Sequence, residues 1–306
     1  MRRHTIVLAF ICSFMAATAV HAQMNSRYYV SLELGTHMNS GVSFTGDSND
    51  RASICDEFIN PLFASVPGCT DANRGVGDNW TADFDRGMGT LASVNAGIRL
   101  GKSLRTELEY FFRSSHFNQT SPVSSAAGVN LAKINEELRV AEERIGNISA
   151  NNLFVNVYVD WNRPGSRVTP FGGIGIGAGF TSVEWGSTWG RHPDPAMIAT
   201  GSGQPNAEEI KASLAGTVST AHSLLTDTVF GYQVIVGTDY LLTEKVSIVF
   251  KARWVAYGEF NGTVVWDPLR SHAPNLRRDG SEPVDGIMTT SDLKVISLGA
   301  GIKYNF

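Results

Sequence analysis

Twelve charged residues stand at alternate positions of runs whose remaining positions are largely apolar: Glu33, Arg99, Arg105, Glu107, Glu109, Arg113, Asp160, Asp239, Lys251, Arg253, Glu259 and Lys303. Six are acids and six are bases. Carboxylates and bases gathered away from water shift one another's proton affinity, which is the raw material of acid–base catalysis. They also neutralise one another, because a buried charge needs a partner. The equal count favours the second use, a closed ion-pair network. Other chemistry is thinly provided. His116, His192, His222 and His272 fall in expected connections, and Ser271 and His272 are adjacent rather than two apart on one strand face. No pair of these histidines has the spacing of a metal site. The glycine-rich run from Gly172 to Gly177 opens no helix and lacks the lysine of a phosphate loop. No catalytic, cofactor-binding or metal-ligating residue is assigned.

The elements that position the twelve charges are strands. Ile296, Leu298, Ala300, Ile302, Tyr304 and Phe306 alternate with Ser297, Gly299, Gly301, Lys303 and Asn305. Period-two alternation over about eleven residues is a strand with one apolar face. It is longer than the usual soluble strand of about five or six residues and suits the roughly ten needed to cross a bilayer at a tilt. Seven further segments repeat the pattern. They begin near Tyr28, Ser93, Leu104, Asn152, Val168, Thr228 and Lys245, and in most of them the named charges sit opposite the apolar set. The connections alternate in length. Those at 101–103, 162–167 and 243–244 are short, and those at 37–88, 114–150, 185–227 and 261–291 are long. Short turns on one side and long loops on the other describe an all-β, eight-stranded antiparallel transmembrane β-barrel, with three periplasmic turns and four extracellular loops. Alternation alone also fits a soluble lipocalin-like barrel with its apolar face inward. Strand length, aromatic strand ends and the terminal Phe306 favour the membrane form.

The N-terminus sets the compartment. Met1 to His4 is basic, Thr5 to Val20 is largely apolar, and Val20-His21-Ala22 places small residues at a cleavage site. That is the order of a signal peptide spanning 1–22, leaving 23–306 as one barrel domain. Losing Arg2 and Arg3 moves the formal charge from −4 to −6, which argues against nucleic acid as a partner. Of three cysteines, Cys55 and Cys69 remain, and a close pair in an oxidising compartment reads as one disulfide within the first long loop.

Two of the long loops are expected to carry helices. Leu131, Ile134, Leu138, Ala141 and Ile145 are three and four apart, with Glu136-Glu137 and Glu142-Glu143 between them, which is amphipathic spacing. In the third loop, Asn206 with Glu209 resembles a capping box, followed by a stripe of Ile210, Leu214, Val218, Ala221 and Leu225.

Several segments resemble the small outer-membrane barrels grouped as surface antigens, opacity proteins and the OmpA transmembrane domain, which are counted with the porin family. They are Asn156-Val157-Tyr158-Val159-Asp160, the stretch from Thr169 to Gly177, Phe230-Gly231-Tyr232-Gln233, and the closing Gly299 to Phe306. The resemblance covers the strands, roughly half of the mature chain, and none of the long loops. It implies a Gram-negative outer membrane with the long loops at the cell surface, contact with outer-membrane lipid, and insertion by the barrel assembly machinery with Tyr304 and Phe306 as the assembly signal. It implies no single activity and no cofactor. The expectation is a non-enzymatic surface barrel with a structural, adhesion or surface-antigen role, its loops facing a host or envelope partner. A small porin or channel is the alternative, and a lipid-modifying enzyme the third reading.

Overall fold

The computed structural model describes residues 27–48, 60–67, 79–162, 165–264, 286–291 and 293–306. Within them eight antiparallel strands close a barrel. They are β1 (Tyr28–Asn39), β4 (Met88–Arg99), β5 (Leu104–Pro122), β7 (Leu138–Asp160), β8 (Val168–Arg191), β9 (Val218–Leu241), β10 (Val246–Tyr257) and β13 (Lys294–Asn305), each paired with its successor, and β13 closes on β1. All eight expected strands are present. The expected signal peptide, Cys55, Cys69 and His272 lie outside the described residues.

The long connections are not simple loops. β5, β7, β8 and β9 run for 19, 23, 24 and 24 residues, well beyond the 12 of each of the other four. Those four stop and then resume. β2 (Val42–Ser48), β3 (Asn79–Phe84), β11 (Phe260–Val264) and β12 (Gly286–Thr290) join the short β6 (Ser124–Ser125) in a second sheet of order β11-β12-β2-β3-β6. The breaks fall at Ser40–Gly41, Asp85–Gly87, Gly258–Glu259 and 291–293. A Cβ at Gly87 would stand 2.4 Å from the Phe117 ring, so only glycine lets the chain turn there.

The result is one barrel in two storeys whose faces are reversed. Below, the outward positions are apolar and exposed: Leu34 at 73%, Ile176 at 72% and Phe230 at 78%. Above, the outward positions are mostly polar, with Val218, Leu224 and Ile287 as exposed exceptions, and the inward ones form a core with Phe44, Trp80, Phe117, Ile145, Val183, Trp185, Trp189, Leu225 and Phe260. The change is sharp on the tall wall. A cross-strand row of Tyr110, Leu153, Ala178 and Phe230 gives way two rows higher to Ser114, Ser149, Ser182 and Thr226. Between Tyr110 and Ser114 on β5 the alternation is unbroken; what changes is the composition on each side of it.

The helix expected over 131–145 is absent. Residues 138–145 are the start of β7, with Ala141, Glu143 and Ile145 inward. The second helix is short, α1 (Ala207–Leu214), and Val218, Ala221 and Leu225 belong to β9. Asn206 precedes it without a side-chain cap; its amide bonds Asn60 and Glu209 instead. Ile210 and Leu214 pack on Ile198.

Candidate functional site

The lower lumen is filled by side chains from all eight strands. Lys251 on β10 is its hub, with Nζ 2.8 Å from Glu33, 3.3 Å from Glu107 and 3.6 Å from Glu109. Two residues on, Arg253 reaches Glu33 at 3.1 Å and Glu109 at 2.9 Å. Amides complete the carboxylates: Asn95 donates to Glu33, and Asn156 and Gln233 both donate to Glu109. The Tyr29 and Tyr158 hydroxyls each donate to Glu107 at 2.9 Å. Nearer the short turns, Arg105 pairs with Asp160 at 3.2 Å and Asp239 at 3.0 Å, and Lys303 also reaches Asp239. Aromatic faces cover the cations, with Arg105 4.4 Å from the Phe171 centroid and Arg253 5.0 Å from that of Phe111.

Nine of the twelve expected charges therefore meet in one buried network. Three depart from it. Glu259 is exposed and accepts a bond from the Asn261 side chain, because the β10–β11 break at Gly258 interrupts the alternation that would have aimed it inward. Arg99 sits half-buried at the lower mouth, bonded to Asn305 and stacked on Tyr29. Arg113 is buried above the network, over the Tyr257 ring, with no carboxylate in ion-pair range among the described residues.

The glycines of β8 make this packing fit. Gly173, Gly175, Gly177 and Gly179 all face the lumen, and a Cβ on the first three would fall within 2.5 Å of Tyr158, Asn156 and Phe154 respectively. The missing side chains give β7 the room to lay its own across the barrel. The run is a packing device, as its lack of a phosphate-loop lysine already indicated.

An apolar, exposed outer belt around a polar, ion-paired interior is stable only where the outside is hydrocarbon, since water would reverse it. The chain is a transmembrane β-barrel of outer-membrane type. No family model and no curated protein sequence matches it. Among solved structures it is similar to Neisserial surface protein A, at 12% identity and a TM-score of 0.40, covering 91% of this chain and 97% of that one. It is also similar to a major outer membrane protein from Thermus thermophilus (14%, 0.40, covering 94% and 100%) and to the Escherichia coli outer membrane protease OmpT (10%, 0.34, covering 95% and 100%). The barrel assignment itself stands on strand register and exposure. It predicts a depth profile: Phe250→Arg, mid-belt, should cost about 2–4 kcal/mol of unfolding stability in lipid vesicles, and Thr226→Arg above the belt about 0–1 kcal/mol. Equal costs at the two sites would refute the placement of the barrel in the bilayer.

In the layout of outer-membrane barrels the short turns face the periplasm and the long connections the cell exterior, which makes the short-turn end the periplasmic one and the upper storey the extracellular one. Above the belt two acids stand out. Glu137 accepts from Thr200 N and Oγ1, Ala199 N and Arg191 Nε, clasping the third connection to the second. Burial pushes its carboxyl up, but the Thr200 bonds and Arg191 outweigh that and leave it below the usual range. Glu143 lies inside the apolar core, accepting from Trp80 Nε1 at 2.6 Å and Trp185 Nε1 at 2.8 Å. Burial without a cation pushes its carboxyl up to about 7, against the smaller opposing effect of the two indoles.

His116 and His222, expected in loops, lie on outward positions of β5 and β9. One histidine escaped the sequence reading. His37 Nε2 is 2.6 Å from Ser115 Oγ, both on lumen-facing positions just below the apolar core. Period-two facing of β1 and β5 could have paired the strands' histidine and serine, but not their height.

Proposed function

We propose that this protein is a non-conducting, non-enzymatic surface barrel whose extracellular storey is its working face, in a structural, adhesion or surface-antigen role toward a host or envelope partner. The observation that carries this reading is the double closure of the lumen. The Lys251–Arg253 network fills the membrane section, and the Trp80–Trp185–Trp189 core seals it again above. The interior of an eight-stranded barrel is just wide enough for side chains to fill. The wall and second sheet, by contrast, offer broad polar outward faces such as Thr45, Thr81, Asn261 and Thr289, aligned across four strands. The His37–Ser115 pair offers no open site for a lipid-modifying activity, since both residues are at most 2% exposed and neither lines the cavity at the mouth or the one on the second sheet. Single-channel recording in planar bilayers tests the reading. No steady conductance is expected from the purified protein; a reproducible open level would make the small-channel reading the better one.

A further inference from the structure

The two ends of the barrel differ, and the periplasmic end holds a cavity the surface reading does not use. It measures about 660 Å³, is open to solvent, and is bordered by residues at the strand ends beside the short turns. Arg27, Arg99, Lys102 and Arg167 converge on it. The acids on its floor, Asp160 and Asp239, are already engaged by Arg105 and Lys303, which leaves Glu244 as the acid free to oppose those four cations. Arg99 is held rather than loose, stacked 5.2 Å over Tyr29 and bonded to Asn305 at 2.9 Å. Arg27, Lys102 and Arg167 are exposed and make no ion pair among the described residues.

Depth matters as much as charge. Leu100 and Leu241, both exposed at the lower edge of the belt, also line this cavity. The opening therefore lies where the hydrocarbon ends and the headgroups of the inner leaflet begin. At that level the abundant anion is a phosphodiester. Guanidinium groups bind phosphate through paired N–H donors, and a lysine adds a point charge. A cavity of several hundred Å³ is of the size that holds a small ligand. We propose that the periplasmic mouth is a phosphate-binding vestibule, taking a glycerol phosphate group from a leaflet lipid or from solution.

The test uses the full chain folded in dodecyl maltoside, a phosphate-free background. One arm titrates glycerol 3-phosphate at constant ionic strength and follows the arginine Nε–Hε resonances. The other adds phosphatidylglycerol, with diacylglycerol as control, and counts retained lipid by native mass spectrometry. The triple variant Arg27→Gln/Lys102→Gln/Arg167→Gln removes three exposed cations without touching packing. Arg139→Gln/Arg144→Gln, exposed at the opposite end, is its control. Saturable binding that weakens by about tenfold or more in the triple variant and persists in the control is expected. Binding of the lipid alone assigns the phosphate to the leaflet, and binding of the soluble probe alone assigns it to the periplasm. Binding of neither probe, or equal loss in both variants, overturns the proposal.

Discussion

Lys251→Met should destabilise the barrel by about 3–5 kcal/mol, the cost of stranding buried charge when one partner of an ion pair is removed. Methionine replaces the apolar stem of lysine and lacks only the terminal ammonium position, so packing changes little. Of the three carboxylates within 3.6 Å of Nζ, Glu33 and Glu109 would keep Arg253, and Glu107 would keep the Tyr29 and Tyr158 hydroxyls but lose its ion-pair partner. Denaturant unfolding from lipid vesicles measures the loss. Adding Glu107→Gln should recover much of it, because the amide removes one stranded charge while its oxygen accepts from one of the Tyr29 and Tyr158 hydroxyls and its NH2 donates to the other. Additive losses in the double variant, or a single-variant loss below about 1 kcal/mol, would mean the lumen is hydrated and its charges independent. The variant should remain closed to ions, since the extracellular core above is untouched.

The parts of the fold that were legible in the sequence are those in which a local rule operates without interruption. Across the membrane, each strand separates two media on its two faces, so period two is written plainly; of the twelve charges expected inward nine meet in the network, Arg99 and Arg113 lie below and above it, and Glu259 alone is turned out. Glu259 was misplaced because Gly258 breaks the strand and resets the alternation. The helix over 131–145 has a subtler cause. β7 shifts register between Leu138 and Val140 and again between Ile145 and Ile148. The first adds a residue, so Leu138 and Ala141 stand three apart, while the four between Ala141 and Ile145 is two strand steps with Glu143 between them; Leu131 and Ile134 precede the strand, and together these spacings imitate a helical stripe. The stripe from Ile210 to Leu225 spans a real helix and a real strand, divided at Gly216, whose φ of +73° ends the helix. The second sheet was not legible at all. β2 pairs with β12, about 240 residues away, and no turn residue signals a pairing of that range.

Glu143 was hidden by the same misread helix, and it supplies the other large expected effect. Ser187 and Ser121 oppose it in register from β8 and β5, Trp185 and Trp80 hold its two oxygens from β8 and β3, and no charged side chain contributes to its environment. Its carboxyl, pushed up to about 7 from the usual 4.5, sets the sign. Below about pH 4.5 the group is protonated folded or unfolded, and the fold is at its full stability. Between about 4.5 and 7 the unfolded chain releases the proton while the folded core retains it, so stability falls as pH rises. Above about 7 both states are ionised and the loss is complete, amounting to about 3 kcal/mol. Glu143→Gln cannot ionise, so the slope of stability between pH 5 and 7 should be much flatter than in the wild type. The absolute level is a poorer guide, because the amide nitrogen would face one indole N–H donor to donor. Paired denaturant curves at pH 5 and 7, followed by tryptophan fluorescence, compare the slopes and cancel other titrating groups. Identical slopes in the two proteins would show that Glu143 is ionised at both pH values, with water or a cation reaching the core that joins the second sheet to the wall.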